Sequence, residues 1–265
     1  MQGIEDVNHE LIGGISTQLL WGESFEEPAS NSSRGVSAAG TNGHPTWLPT
    51  DASAPECEFE LVRNIAPQTG LQSQFVAGPG CGVRNRGLDF GGHSFVSGEA
   101  YAGHLFAKGD SASTVQVSLA DWGTNTTLAT QTLAVPAGEA WAMHNFTLTP
   151  TAGTSCSTTA VGADHYKTCA GNAENLCPIC TGEFRITVLS GAVLLDQVFL
   201  EQVSLRFDDQ PTRSTVVSLM KDTMGFGVLR NGGSQCNSEG YRWKRFRGDY
   251  PAPRAVQTLS SRLLC

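Results

Sequence analysis

Residues 229–246 read LRNGGSQCNSEGYRWKRF and gather a guanidinium, amides, aromatic rings and a glycine pair in one short run. Arg230 can grip a carboxylate through two parallel hydrogen bonds. Asn237 can donate to one hydroxyl and accept from another, and Tyr241 and Trp243 can stack on a sugar ring or fill a core. Gly232 and Gly233 let the backbone turn sharply or approach a ligand closely. Arg242, Lys244, Arg245 and Arg247 form either a solvated face or a basic patch. The whole chain carries 25 acidic against 17 basic side chains, a formal charge of -8, so a nucleic-acid partner is not expected. A neutral ligand such as a sugar is compatible with that balance.

Two further groups of residues invite chemical readings. Cys156, Cys169, Cys177 and Cys180 fall within residues 151–183, and Cys177-Pro-Ile-Cys180 has the spacing of a zinc-ligand pair. The competing reading is disulfide bonding, which the even total of eight cysteines suits in an oxidising compartment. Glu23, Glu26 and Glu27 lie close enough in sequence for acid–base work, or simply serve as surface and capping groups. Asp196 reads as structural or as a cation ligand, although no clustered oxygen-ligand motif accompanies it. No cofactor is implied.

These residues need elements to hold them. Between about 57 and 208, short runs with partial alternation recur, among them LQSQFVA, YAGHLFAKG, STVQVSLADWG and AVLLDQVFLEQVSLRF. Val115, Val117 and Leu119 share one face of such a run, and Gly, Asn and Asp separate many of them. That pattern predicts an antiparallel β-sandwich, on which Trp122 or Trp141 could stack against sugar or sit in the core. Residues 29–56 read as loop. After about 212 the texture changes: Val216, Leu219, Met220 and Met224 share a helical face, with Ser214 or Thr215 as cap and Gly225 as stop. FGVLR then reads as a buried strand. A helix followed by a strand and a Gly-rich loop is α/β grammar, and it needs neighbouring strands to complete a layer. In parallel sheets the carboxyl end of the strand, where Arg230 falls, is where ligands bind.

No apolar run approaches the roughly 18 residues of a membrane span, so no membrane partner is expected. The start, MQGIEDVNHE, lacks the apolar stretch of a signal peptide. Sequons at Asn31, Asn125 and Asn145 nevertheless favour an extracellular or secretory location and possible N-glycosylation.

The two ends of the chain resemble the α-L-arabinofuranosidases of glycoside hydrolase family 51, in the subgroup with a carbohydrate-binding-like insert. GIEDVNHELIGGISTQLLWGESFEEP is similar to the family's opening segment, through Glu5-Asp6-Val7-Asn8-His9, Gly13-Gly14 and Phe25-Glu26. VLRNGGSQCNSEGYRWKRFRG resembles its second barrel strand and loop, with Asn231 a departure before the glycine pair. NRGLDFGGHSFVSGEAYAGHLFAKG, AWAMHNFTLTP and LLDQVFLEQVSL resemble the inserted sandwich.

The resemblance implies a multi-domain chain. A jelly-roll β-sandwich of the carbohydrate-binding-module type would interrupt the first part of a (β/α)8 TIM barrel that is incomplete here. Residues 1–28 would hold the first barrel strand, 29–208 the linker and sandwich, and 209–265 the first barrel helix, the second strand and a substrate-side loop. The implied activity is retaining hydrolysis of terminal α-L-arabinofuranosyl groups, by two carboxylates about 5 to 5.5 Å apart. Both would be glutamates on later strands, so this chain is expected to be inactive alone. Glu5 matches a substrate-binding glutamate; Asn8, Arg230, Asn237 and Trp243 are expected around the same subsite. The expected partner is an arabinose-containing polysaccharide or glycoconjugate. A non-catalytic carbohydrate-binding sandwich is the alternative.

Overall fold

The computed structural model describes residues 2–4, 16–29, 34–37, 45–51, 54–63, 65, 67–87, 90–157, 179–208, 210–224 and 229–231. The chain divides into two compact units, Leu19–Val203 and a second made of Met1–Gln18 with Ser204–Cys265. In chain order the strands are β1 (Gln2–Ile4), β2 (Trp47–Pro49), β3 (Glu58–Val62), β4 (Ser73–Ala77), β5 (Gly82–Asn85), β6 (Tyr101–Gly109), β7 (Ser113–Asp121) and β8 (Thr126–Val135). They continue with β9 (Gly138–Leu148), β10 (Cys156–Ser157), β11 (Ile179–Cys180), β12 (Gly182–Ser190), β13 (Ala192–Gln202), β14 (Arg206–Phe207), β15 (Gln210–Arg213) and β16 (Leu229–Asn231).

The larger unit is a β-sandwich. One sheet runs β2-β5-β12-β7-β8, the other β3-β4-β13-β6-β9, and every pairing within both is antiparallel. Alternation decides which side chains fill the space between them. Val115, Val117 and Leu119 of β7 and Phe184, Ile186 and Val188 of β12 are buried from one sheet. Tyr101, Leu105 and Ala107 of β6, Phe146 and Leu148 of β9, and Leu195 and Leu200 of β13 are buried from the other. Phe146 stacks on Phe184 with ring centroids 5.7 Å apart, so the two sheets meet ring to ring.

β13 carries a bulge between Asp196 and Phe199, with Gln197 at φ 43°. β4 pairs only with the part of β13 before the bulge, Ala192 to Leu195. Beyond it the segment from Leu19 to Glu23 takes over: the Leu19 amide donates to the Leu200 carbonyl at 2.8 Å, and the Val198 amide donates to Glu23 at 2.9 Å. The same segment buries Phe25, which stacks on Trp47 at 4.8 Å. The Trp47 Nε1 group donates to the Gly22 carbonyl at 2.7 Å, which leaves no polar atom of that buried ring unsatisfied.

In the smaller unit β1 and β16 lie side by side and parallel, Gly3 opposite Arg230. β14 and β15 pair antiparallel, and the Thr17 amide donates to the Pro211 carbonyl at 3.1 Å. A short helix α1 (Ser214–Ser218) passes into a π-helical turn, Leu219–Thr223. Neither Ser214 nor Thr215 takes the expected cap position. β15 runs extended up to the helix, so Arg213 takes the N-cap position with no side-chain bond to the helix. Its Nε donates to the Ser16 carbonyl instead, at 3.1 Å. Gly225 lies outside the described residues. One parallel strand pair and one short helix are what the described residues show of α/β structure; a TIM barrel is not shown.

Candidate functional site

The outer face of the β3-β4-β13-β6-β9 sheet gathers the chemistry of the sandwich. Tyr101, Leu105 and Ala107 point inward from β6, so Ala102, His104, Phe106 and Lys108 point outward. Strand register carries this face across the sheet. Asn145, His104 and Phe199 form one row; Met143, Phe106 and Asp196 form the next; Lys108, Leu194, Phe75 and Glu60 form a third. Trp141 stands on the same side of edge strand β9, two residues before Met143, with the Lys108 ammonium 5.0 Å from its ring centroid.

Several of these rings remain partly open to solvent. Phe75, His104, Phe106, Trp141 and Phe199 are all half-buried, and Met143 is 51% exposed. His104 and Phe199 stack at 5.4 Å with their planes 13° apart, and Phe106 meets His104 edge-on at 6.0 Å. Burial holds the His104 imidazole below its ordinary range, against the opposing pull of Glu201. A neutral ring stacked on an aromatic neighbour presents a flat, weakly polar patch. Hydrogen-bonding groups surround it: Asn145 and Thr147 on β9, Glu60 on β3, the Lys108 ammonium. That combination suits a ligand with apolar ring faces and hydroxyl edges.

One end of the face is closed by residues 67–72. The buried Asp196 carboxyl accepts from the Thr69 amide at 3.0 Å and from its neighbour Gln197 at 2.8 Å. Glu26 accepts from the Leu71 amide, 3.0 Å from Oε1 and 3.1 Å from Oε2. Burial pushes the Asp196 carboxyl up to about 7; its amide bonds pull the other way and the charge of Glu26 adds to the rise. Glu26 thus holds a turn in place. Among the described residues no group of three or more His, Cys, Asp or Glu is arranged to hold a metal.

The residues singled out from sequence fall as follows. Glu5, Asn8, Asn237 and Trp243 lie outside the described residues, as do Asn31, Cys169 and Cys177. Arg230 is the middle residue of β16, opposite Gly3. Cys156 and Cys180 are disulfide-bonded to each other, and Cys57 is bonded to Cys81. Asn125 sits in the turn after β7 and accepts from Arg185 at 3.3 Å. Asn145 is exposed on the aromatic face. The two tryptophans separate: Trp141 belongs to that face, whereas Trp122 donates to the Cys180 carbonyl at 3.2 Å and stacks on Arg86. His104, Phe106 and Phe199 belong to the same face without forming any motif in the sequence. Their signal is the polar half of a period-two strand that carries aromatic rings where small polar residues usually stand.

Comparison with known proteins yields likeness of fold alone. No protein-family model matches, and no curated protein matches. Among solved structures, an arabinose-bound α-L-arabinofuranosidase of glycoside hydrolase family 51 aligns over 91% of this chain and 36% of its own, at 18% identity and a TM-score of 0.64. A xylan-binding domain from Paenibacillus barcinonensis aligns over 68% of this chain and 92% of its own, at 13% identity and a TM-score of 0.39. A Clostridium thermocellum xylanase fragment complexed with xylohexaose aligns over 74% of this chain and 29% of its own, at 14% identity and a TM-score of 0.38. The chain spans about a third of the length of the arabinofuranosidase.

Proposed function

We propose that this chain binds carbohydrate through the outer face of the β3-β4-β13-β6-β9 sheet. We further propose that it does so as the N-terminal part of a retaining glycoside hydrolase releasing terminal α-L-arabinofuranosyl groups. The observation that carries the first statement is the set of half-buried rings around the His104–Phe199 stack, with Trp141 at its edge. The second is supported by the parallel pairing of β1 with β16 across the intervening sandwich and by the alignment of 91% of the chain with an arabinofuranosidase. On this reading Glu5, Asn8, Arg230, Asn237 and Trp243 line the substrate side of the first strands. The catalytic glutamates belong to later strands, and this chain alone is inactive.

A non-catalytic carbohydrate-binding protein is the second reading, favoured by one observation. The aromatic face belongs to a unit that has its own two-sheet core. Affinity electrophoresis of the full chain in gels containing arabinan, arabinoxylan or xylan tests the binding statement. Retardation is expected in at least one of them, and Trp141→Ala and Phe199→Ala should abolish it while leaving thermal unfolding cooperative. Migration unaffected by all three glycans would overturn the statement. The hydrolase statement is tested by assaying nitrophenyl α-L-arabinofuranoside with the product of the gene including any coding sequence downstream. Absence of arabinofuranosidase activity there would leave the binding reading standing alone.

A further inference from the structure

The opposite outer face, on the β2-β5-β12-β7-β8 sheet, has a different chemistry. Arg84 stands opposite Arg185, and Asn85 opposite Phe184, so Arg86 comes alongside Glu183. Glu183 has a fully buried side chain, and three guanidiniums surround it. Arg86 Nε donates to it at 2.8 Å, Arg185 Nε donates to its other oxygen, and Arg84 Nη1 lies 3.7 Å away. The Arg86 guanidinium is itself flanked by the rings of Trp122 at 4.3 Å and Phe90 at 4.8 Å. Arg185 reaches Asn125 with Nη2 at 3.3 Å.

One carboxylate against three guanidiniums leaves this cluster at +2, in a chain whose total is -8. The excess is not what a purely structural ion pair requires. Like charges directly opposite on neighbouring strands, as Arg84 and Arg185 are, destabilise a sheet. Arg84 Nε is buried without a hydrogen-bond partner among the described residues, which adds a desolvation cost. Arg86 and Arg185 spend their Nε edges on Glu183 and Arg185 spends Nη2 on Asn125, which leaves the terminal amines of Arg86 and Nη1 of Arg185 for another acceptor. The arginine side chains are 28%, 13% and 21% exposed for Arg84, Arg86 and Arg185, so an anion can reach them.

The rest of the face is flat and hydroxylated. Register runs Thr130–Ser118–Arg185–Arg84 and, one row on, Thr132–Gln116–Thr187. Thr130 and Thr132 are exposed, Gln116 and Thr187 half-buried. These rows present hydroxyls and an amide where the other sheet presents rings. We propose that this face is a second carbohydrate surface, taking a polysaccharide of uronic acid residues. A uronate carboxylate would lie across Arg84 and Arg185, whose forks match its two oxygens, and the sugar hydroxyls would extend along the threonine rows.

Calorimetric titration of the full chain with polygalacturonate, its methyl ester and neutral arabinan tests this. Polygalacturonate is expected to bind with an affinity that falls as salt rises, and the ester to bind at least about tenfold more weakly, since a charge-assisted pair is lost. Arg84→Gln and Arg185→Gln should each weaken polygalacturonate about tenfold by the same reasoning, and Trp141→Ala should not. If either glutamine variant fails to unfold cooperatively, Arg84→Lys and Arg185→Lys keep the charge beside Glu183 and lose the fork; several-fold weakening is then expected. Equal affinity for the acid and its ester, no binding by either, or folded arginine variants that bind like the parent would overturn the proposal. Because the wild-type comparison of acid with ester needs no variant and no arabinose-containing glycan, it fails or succeeds independently of the aromatic face.

Discussion

The Asp196 carboxyl and the Thr69 amide meet at 3.0 Å across 127 positions of sequence. This contact closes the loop after β3 over the bulge of β13 and takes the carboxyl out of water, which is why burial raises it from 3.8 to about 7. The consequence for stability has a definite sign. Between these two values the native state keeps a proton that the unfolded chain releases, so the contribution of Asp196 falls as pH rises through 7. At one unit per roughly 1.4 kcal/mol, the buried charge costs up to about 4 kcal/mol above pH 7. Glu23, which burial also pushes up with Glu27 adding to the rise, contributes in the same direction. Asp196→Asn keeps an acceptor for the Thr69 amide and cannot ionise. Urea unfolding at pH 5 and pH 8 should show the parent losing more stability than the variant over that interval. Equal losses would sink the assignment.

His93 works in the opposite direction. Its ring is buried against Phe95 at 5.4 Å, and Nε2 has no hydrogen-bond partner among the described residues. Burial lowers it from 6.5 to about 4, against a hydrogen bond with the Asn85 backbone and the charge of Glu183. The unfolded chain therefore binds this proton before the native state does. Stability is lost as pH falls from 6.5 towards 4, by about 3 kcal/mol at one unit per roughly 1.4 kcal/mol. The ring carbon signals of His93 in an NMR titration should stay at their neutral positions down to pH 5. A midpoint near 6.5 would show that the imidazole is solvated.

Cys57 and Cys81, 24 positions apart, are both buried and bonded. Cys57 immediately precedes β3 and Cys81 immediately precedes β5, so the bridge ties one sheet to the other. Closing a loop of this size in the unfolded chain is worth about 3 kcal/mol. The paired variant Cys57→Ala/Cys81→Ala should lose about that much in chemical denaturation. Peptide mapping without reductant should recover Cys57 linked to Cys81 and Cys156 linked to Cys180; free Cys57 and Cys81 in oxidised protein would contradict the structure.

Some of this was legible in the sequence and some was not, for physical reasons. The alternation of Val115, Val117 and Leu119 predicts their burial on one face because a strand's side-chain period is two, and all three are buried. The same rule places His104, Phe106 and Lys108 outward, yet alternation cannot say which strands lie beside β6. Phe199 joins His104 only because the bulge at Gln197 shifts the register of β13, and a bulge leaves no period of its own. The burial of Asp196 depends on a loop more than a hundred residues away. Cysteine count suggested bridges, but the Cys57–Cys81 pairing follows from β3 and β5 starting at neighbouring points of the two sheets. Phe25-Glu26 enters the sequence reading only through a resemblance; that Phe25 is a wedge stacked on Trp47 inside the sandwich depends on a contact 22 positions away, which local pattern does not carry.

Asn145 stands directly opposite His104 on the aromatic face, and Thr147 of the same sequon lies opposite Ala102. Both are exposed, so the acceptor amide is open on the folded strand. A glycan attached there would lie across the row Asn145–His104–Phe199 and exclude a polysaccharide from the rings. Protein made in a eukaryotic secretory host should therefore bind arabinoxylan more weakly than protein made in bacteria. Asn145→Gln should restore binding in the secretory host and change nothing in the bacterial product. Removing glycans enzymatically from the folded parent should have the same effect as the substitution, with peptide mapping confirming that Asn145 carried a glycan and lost it. Glycosylated parent protein that binds as tightly as Asn145→Gln would show that the sugar-binding surface does not include the row around His104.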